Sequence, residues 1–179
     1  MENVELAFGG GLRSFNEVSD VISKGADKVV LNTMLFDDQE SVKKCIRTFG
    51  SQAIVASVDY KKIANKDLVL RDHGSTETGY LLDDWVNELD QFGVGEIFLN
   101  AIDRDGRALG YDLATIDRIA CSLTIPVIAC GGAGHQRDFF ECFSKTQSSA
   151  IAAGNIFHFT ENAYPRAKKY LKDKLVNVR

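Results

Sequence analysis

The sequence has no surplus of positive charge. Its 21 Lys and Arg stand against 25 Asp and Glu, a formal net charge of −4 at pH 7. Such a chain has little with which to neutralise the phosphates of a polynucleotide, which argues against a nucleic-acid partner. Paired cysteines are missing too. Cys45, Cys121, Cys130 and Cys142 form no CxxC and no zinc spacing, and they read as free thiols of a reducing compartment. His73, His135 and His158 show no metal-ligand spacing, so no metal site is expected. No apolar run approaches the length that spans a membrane. The first residues carry neither the basic stretch nor the long apolar segment of a secretory signal, so a cytoplasmic location is expected.

What the chain does contain is alternation. Its 179 residues, 45% of them hydrophobic, are enough for a sizeable core in a single domain over 1–179. Short apolar runs at Val4–Phe8, Lys28–Asn32, Ala53–Val58, Glu96–Asn100, Pro126–Ala129 and Ala150–Ala153 are of strand length. They lack clean polar alternation, as strands buried on both faces of a parallel sheet do. Between them lie helical patterns: Phe15–Lys24, Gln39–Phe49, Leu82–Phe92, Leu113–Ser122, Asp138–Phe143 and Ala163–Leu171. Asp83 and Asp84 are candidate caps, and Gly25, Gly50 and Gly93 follow helices where a left-handed residue is expected. Strand then helix, six times over, means an α/β fold with right-handed crossovers. One polar stretch, Tyr60–Tyr80, interrupts the rhythm and reads as a small hairpin or loop excursion: a cover for a site at a strand end, or a solvated surface feature.

Two glycine clusters occupy equivalent frames. "FGGGLRSF" and "CGGAGHQR" each close a strand and open a helix, and 122 residues separate Gly9 from Gly131. Each copy is one βαβ unit, a weak internal repeat. Glycines at the C-terminal end of a parallel strand let backbone approach a ligand, and an adjoining helix start favours an anion. Two phosphate-binding corners are therefore expected, with the turns Asn32-Thr33 and Gly154-Asn155 adding donors; tight turns alone are the plainer alternative. The pattern is not a dinucleotide fingerprint, and no cofactor is expected. Asp59 closes a third strand, and Asp103 and Asp105 follow a fourth in "IDRDG". A carboxylate beside bound phosphate suits general acid or base work, although loop shaping would also explain these residues.

Read together, "FGGG", "GADKVVLNT", "FGSQAIVASVD", "TGYLLDDWV", "GVGEIFLNAIDRDGRALGYDL", "IPVIACGGAG" and the tail "AAGNIFHFTENAYPRAKKYLKDKLVNVR" resemble, over essentially the whole chain, the cyclase subunits of imidazole glycerol phosphate synthase. The resemblance implies a (β/α)8 TIM-barrel fold. It implies a lyase of histidine biosynthesis that takes ammonia from a glutaminase partner. That ammonia closes an imidazole ring on a phosphoribulosyl aminoimidazole nucleotide, giving imidazole glycerol phosphate and an aminoimidazole carboxamide ribotide. By the same resemblance Asp59 is the catalytic acid. Gly11, Asn32 and Thr33 bind one phosphate, and Gly131, Gly132, Ala153 and Gly154 bind the other. Asp103, Asp105 and Gly106 border the substrate, Asp27 communicates with the glutaminase, and Lys28 and Glu96 are half of a charged ammonia gate. Two departures stand out. Six strand–helix units are present rather than eight, so the chain is expected to be a partial barrel lacking the first two units and an aspartate base, with feeble or no activity by itself. Asn100 and Cys130 stand where Thr and Ser are usual, which keeps open a paralogous role in amidating surface-polysaccharide sugars. A non-catalytic remnant that binds phosphate ligands or a partner is the third reading.

Overall fold

The structure is a computed structural model, and it describes residues 4–159, 163–174 and 176. Parts of the tail motif (160–162, 175 and 177–179) lie outside the described residues. Six parallel strands form one path in the order β1 (Ala7–Gly9), β2 (Lys28–Leu31), β3 (Ile54–Ile63), β6 (Glu96–Ala101), β7 (Val127–Cys130), β8 (Ala150–Ile151). Every neighbour on the path is parallel, so all six C-terminal ends lie along one rim.

Helices α1 (Phe15–Ser23), α3 (Gln39–Phe49), α4 (Leu82–Phe92), α5 (Leu113–Ser122), α6 (Gln136–Lys145) and α8 (Ala163–Asp173) alternate with the strands. Each is amphipathic. In α4, Leu82, Trp85, Val86 and Leu89 recur at helical spacing and are buried, and each such side chain is worth about 2 kcal/mol taken from water. Ser14 caps α1 through its hydroxyl, which accepts from Glu17 N. The expected caps on α4 are absent: Leu81 is the N-cap residue, and Asp83 and Asp84 lie in the first turn, where their charge still favours the helix dipole. Gly25, Gly50 and Gly93 all have positive φ after their helices.

Three differences from the sequence expectations matter. β1 is shorter than Val4–Phe8 and begins at Ala7, with Val4, Leu6 and Phe8 exposed. β3 does not stop at Val58 but runs ten residues, because its far half pairs antiparallel with β4 (Lys66–Arg71), which pairs with β5 (Thr76–Leu81). The Tyr60–Tyr80 excursion is thus an ordered hairpin growing out of the sheet. Short helices α2 (Met34–Asp37) and α7 (Ile156–Phe159), not expected from the sequence, follow the turns Asn32-Thr33 and Gly154-Asn155.

Among the described residues β1 pairs only with β2 and β8 only with β7. The path is nonetheless curled. Glu5 and Lys28 near one end and Ser149–Ala153 at the other line a single hollow of about 930 Å3, with Glu96 and Ile128 between them.

Candidate active site at the C-terminal rim of the strands

Strand register decides which side chains enter the hollow. Along β2, β3 and β6 the residues at Leu31, Val58 and Leu99 are buried toward the helices. Their alternates therefore face inward, because successive side chains on a strand point to opposite faces. The inward column rises from Lys28 and Glu96, past Ser57 and Phe98, to Asn32, Asp59, Asn100 and Cys130. Charge sits at the bottom, apolar and small groups in the middle, and a polar cluster at the rim.

Asp59 is the centre of that cluster. It lies opposite Asn100 in the β3–β6 pairing. Asn100 Nδ2 donates to its Oδ1 over 2.9 Å, and Asn32 Nδ2 donates to its Oδ2 over 3.1 Å. Burial raises the Asp59 pKa above the ordinary carboxylate value. The Asn100 and Asn32 donors and the charge of His73 oppose that rise, and Asp105 adds to it. The Oδ1 atoms of Asn32 and Asn100 are both buried and find no partner among the described residues. Cys130 is pushed up to about 11, chiefly by burial and then by Asp105, so it is a neutral thiol beside the carboxyl.

The two glycine clusters are built differently. Gly10 and Gly11 have φ of 102° and 76°, are exposed, and have open space where a Cβ would project. Gly131 and Gly132 are buried. A Cβ on Gly131 would stand 2.6 Å from the Ala101 carbonyl oxygen, and one on Gly132 would meet the Gly110 carbonyl. The second pair is therefore required first by neighbouring backbone, which explains it by packing without any ligand. Gly110 N donates to Gly132 O over 2.8 Å, Arg104 Nη1 donates to Gly110 O over 3.1 Å, and Tyr111 Oη donates to Ala152 O over 2.9 Å. These bonds tie the loops after β6, β7 and β8 into one wall that carries Asp105, Gly106, Ala153 and Gly154.

Other expected residues have local partners. Asp103 accepts from Lys62 N over 3.3 Å and so joins the loop after β6 to the stem of the hairpin. Thr33 donates to Asp72 over 3.5 Å. Asp27 accepts from Leu6 N over 2.8 Å and fixes the chain entering β1. Lys28 meets Glu96 at 2.6 Å and Glu5 at 3.1 Å, and these partners raise its pKa, the Glu96 hydrogen bond most of all. Sequence reasoning missed His73, Asp72 and Asp112. Tyr60 Oη donates to the buried Asp112 over 3.4 Å. His73 lies within the polar excursion, where nothing in the spacing marks it. Among the described residues no group of three His, Cys, Asp or Glu could hold a metal ion, and no helix is long and apolar enough to cross a membrane.

Known proteins are similar to this chain in sequence. Residues 1–163 match a family of histidine biosynthesis proteins. An imidazole glycerol phosphate synthase subunit HisF from Thermotoga sp. (strain RQ2) is 41% identical over 180 residues, covering 99% of this chain and 71% of its own. The subunit of the same name from Chlorobaculum parvum is 40% identical over 176 residues, covering 98% of this chain and 70% of its own. That from Saccharolobus solfataricus is 40% identical over 177 residues, with 99% and 70% covered.

Proposed function

Because the chain belongs to the histidine biosynthesis protein family, beside the HisF subunits of imidazole glycerol phosphate synthase, we propose that its rim closes an imidazole ring with ammonia on a phosphoribulosyl aminoimidazole nucleotide. The products are imidazole glycerol phosphate and an aminoimidazole carboxamide ribotide. The observation that carries this reading is the part-buried carboxyl of Asp59, held between two carboxamides at the rim, with a charged pair lower in the same inward column.

Asp59 is the acid of the reaction. Burial favours the protonated form of this carboxyl, as suits a group that gives a proton to a leaving oxygen. Gly11, with Asn32 and Thr33 beside it, offers open backbone for one phosphate. Gly131, Gly132, Ala153 and Gly154 border the place of the other, and Asp103, Asp105 and Gly106 line the span between. Ammonia enters at the opposite face, where Lys28 and Glu96 pair, and passes the small and apolar middle of the column. A glutaminase subunit supplies that ammonia, with Asp27 on the docking face, and the enzyme works in the cytoplasm. The shared name of the relatives favours this reading over the amidation of surface sugars.

Incubating the protein with the nucleotide and an ammonium salt, and following the ribotide product, tests the assignment. Product that depends on Asp59, and is lost in Asp59→Asn, supports it. Turnover that survives Asp59→Asn refutes the role given to the carboxyl.

A further inference from the structure

The six-stranded path ends in two edges. Among the described residues β1 has no neighbour beyond β2, and β8 has none beyond β7. Both strands run parallel to the rest, and an edge of this kind leaves a row of backbone donors and acceptors without partners. The curl of the path brings the two edges to opposite sides of one opening, the hollow that Glu5 and Lys28 line on one side and Ser149–Ala153 on the other. Apolar side chains stand exposed on both sides of it. Val4, Leu6 and Phe8, in and before β1, are 88%, 59% and 46% exposed, and Phe157 and Tyr164, beyond β8, are 38% and 57% exposed. These are five of the eight exposed large hydrophobic residues among the described ones, so most such surface gathers at this gap, as it does at interaction sites.

The gap is open in both layers of the fold. In the inner layer, Ala7 pairs with Lys28 and Ala150 with Ile128, and Lys28 and Ile128 line the hollow. Both edges thus present small side chains inward, which leaves room for larger ones from another strand, since the interior of such a barrel is filled by side chains of alternate strands. In the outer layer, Phe8 pairs with Val29 and shares its face, yet Val29 is fully buried in the core while Phe8 is not covered. Past the β8 edge the hollow continues onto α6, α7 and α8, where Phe143, Phe157, Tyr164 and Leu171 line it. An occupant that fits must therefore bring a strand to the inner layer and a helix to the outer one.

We propose that the gap between β1 and β8 is the docking site for a separate polypeptide of two strand–helix units, whose strands pair parallel with β1 and β8 and whose helices cover the outer face of the β1 edge. An element that satisfies both edges must run parallel to both, and parallel neighbours need a crossover connection, usually a helix. A (β/α)8 barrel has eight strands, and six lie on this path. This chain covers 71% and 70% of two HisF relatives, and the remainder, about 75 residues, is the length of two units of about 30 residues or more. A second copy of this chain would bring six strands, too many for the gap, and pairing at one edge alone would leave the other open. Docking here is independent of the reaction assigned to Asp59.

Co-expression tests the docking site without requiring turnover. The probe is the part of the HisF subunit from Thermotoga sp. (strain RQ2) that this chain does not match, made as a separate tagged polypeptide beside the unmodified protein. Capture on the tag should recover the two chains one to one, as read by native mass spectrometry. Hydrogen exchange over residues 4–9 and 150–153 should then slow by about tenfold or more relative to the protein alone, with little change in the hairpin of β4 and β5. Leu6→Lys together with Phe8→Lys puts charge on the outer face of the β1 edge. Both side chains are exposed, so the variant should keep its fold, checked by circular dichroism, while capture falls by about tenfold or more. A probe recovered without the protein, or a complex whose protection lies away from both edges, would overturn the proposal. So would a dimer of the protein alone in which both edges already exchange slowly, because a second copy would then be the occupant. A complex that forms at both edges yet leaves the nucleotide unconverted would refute the assigned reaction and leave the docking site standing.

Discussion

Asn100 stands directly across the sheet from Asp59 and donates to its carboxylate over 2.9 Å. The pairing is fixed by backbone register, so the donor is delivered by the fold rather than by a flexible loop. It is also the first of the influences that hold the Asp59 pKa down against burial. Replacing Asn100 by Leu, similar in size and without a donor, should raise the Asp59 midpoint in an NMR titration. A midpoint that stays or falls would mean that Asn100 does not stabilise the ionised form.

Stability should follow the same carboxyl. Burial raises the Asp59 pKa, so the folded state binds this proton more readily than the unfolded chain does. Its contribution is present in full below the unfolded carboxylate value and is lost as pH rises through the folded value. Asp59→Asn removes the part-buried charge. The variant should therefore be more resistant to urea than the unmodified protein at pH 7, with the gap closing as the pH is lowered past the ordinary carboxylate value. A gap that widens in acid would contradict the sign.

The two glycine clusters should respond differently to alanine. Gly131→Ala forces a methyl into the Ala101 backbone at a φ of 93°, and should cost about 3 kcal/mol or more in urea unfolding. Gly11→Ala meets only open space and should cost about 1–2 kcal/mol for its left-handed backbone. Binding of inorganic phosphate should be weakened by Gly11→Ala more than its modest stability loss accounts for. Equal unfolding costs at the two positions would contradict the packing difference.

Lys28 and Glu96 are each about a fifth exposed, with side-chain exposures of 20% and 18%. Lys28→Met alone leaves a carboxylate half-buried without its main partner and should cost about 1–3 kcal/mol. Adding Glu96→Leu should recover part of that loss, and a double-mutant cycle in urea measures the coupling. A double variant less stable than the sum of the single variants would argue against a mutually neutralising pair.

The repeated strand–helix rhythm and the positions of the helices were legible because 3.6-residue spacing survives in α3, α4 and α5. Asp59 was legible as a rim carboxyl because it follows an apolar strand. Its carboxamide neighbours were visible only as letters: Asn100 reaches Asp59 through a pairing 41 residues apart, which no local pattern encodes. The length of β3 was missed because its far half is stabilised by β4, so polar residues such as Lys61 and Lys62 extend a strand that propensity would end. The use of Gly131 and Gly132 as packing sites depends on backbone from other strands and loops, and a glycine carries no mark of which neighbour approaches it. His73 sits in a polar turn whose left-handed residues become informative only once the turn is folded back onto Thr33 and Ile102.

A crystal structure of the protein with the doubly phosphorylated nucleotide bound tests the assignment most directly. One phosphate should lie on the open backbone of Gly11 beside Asn32 and Thr33, the other beside Gly132, Ala153 and Gly154, with the reacting ring within hydrogen-bond reach of Asp59. A nucleotide seated in the hollow around Lys28, or on the outer helices with the rim vacant, would contradict the account.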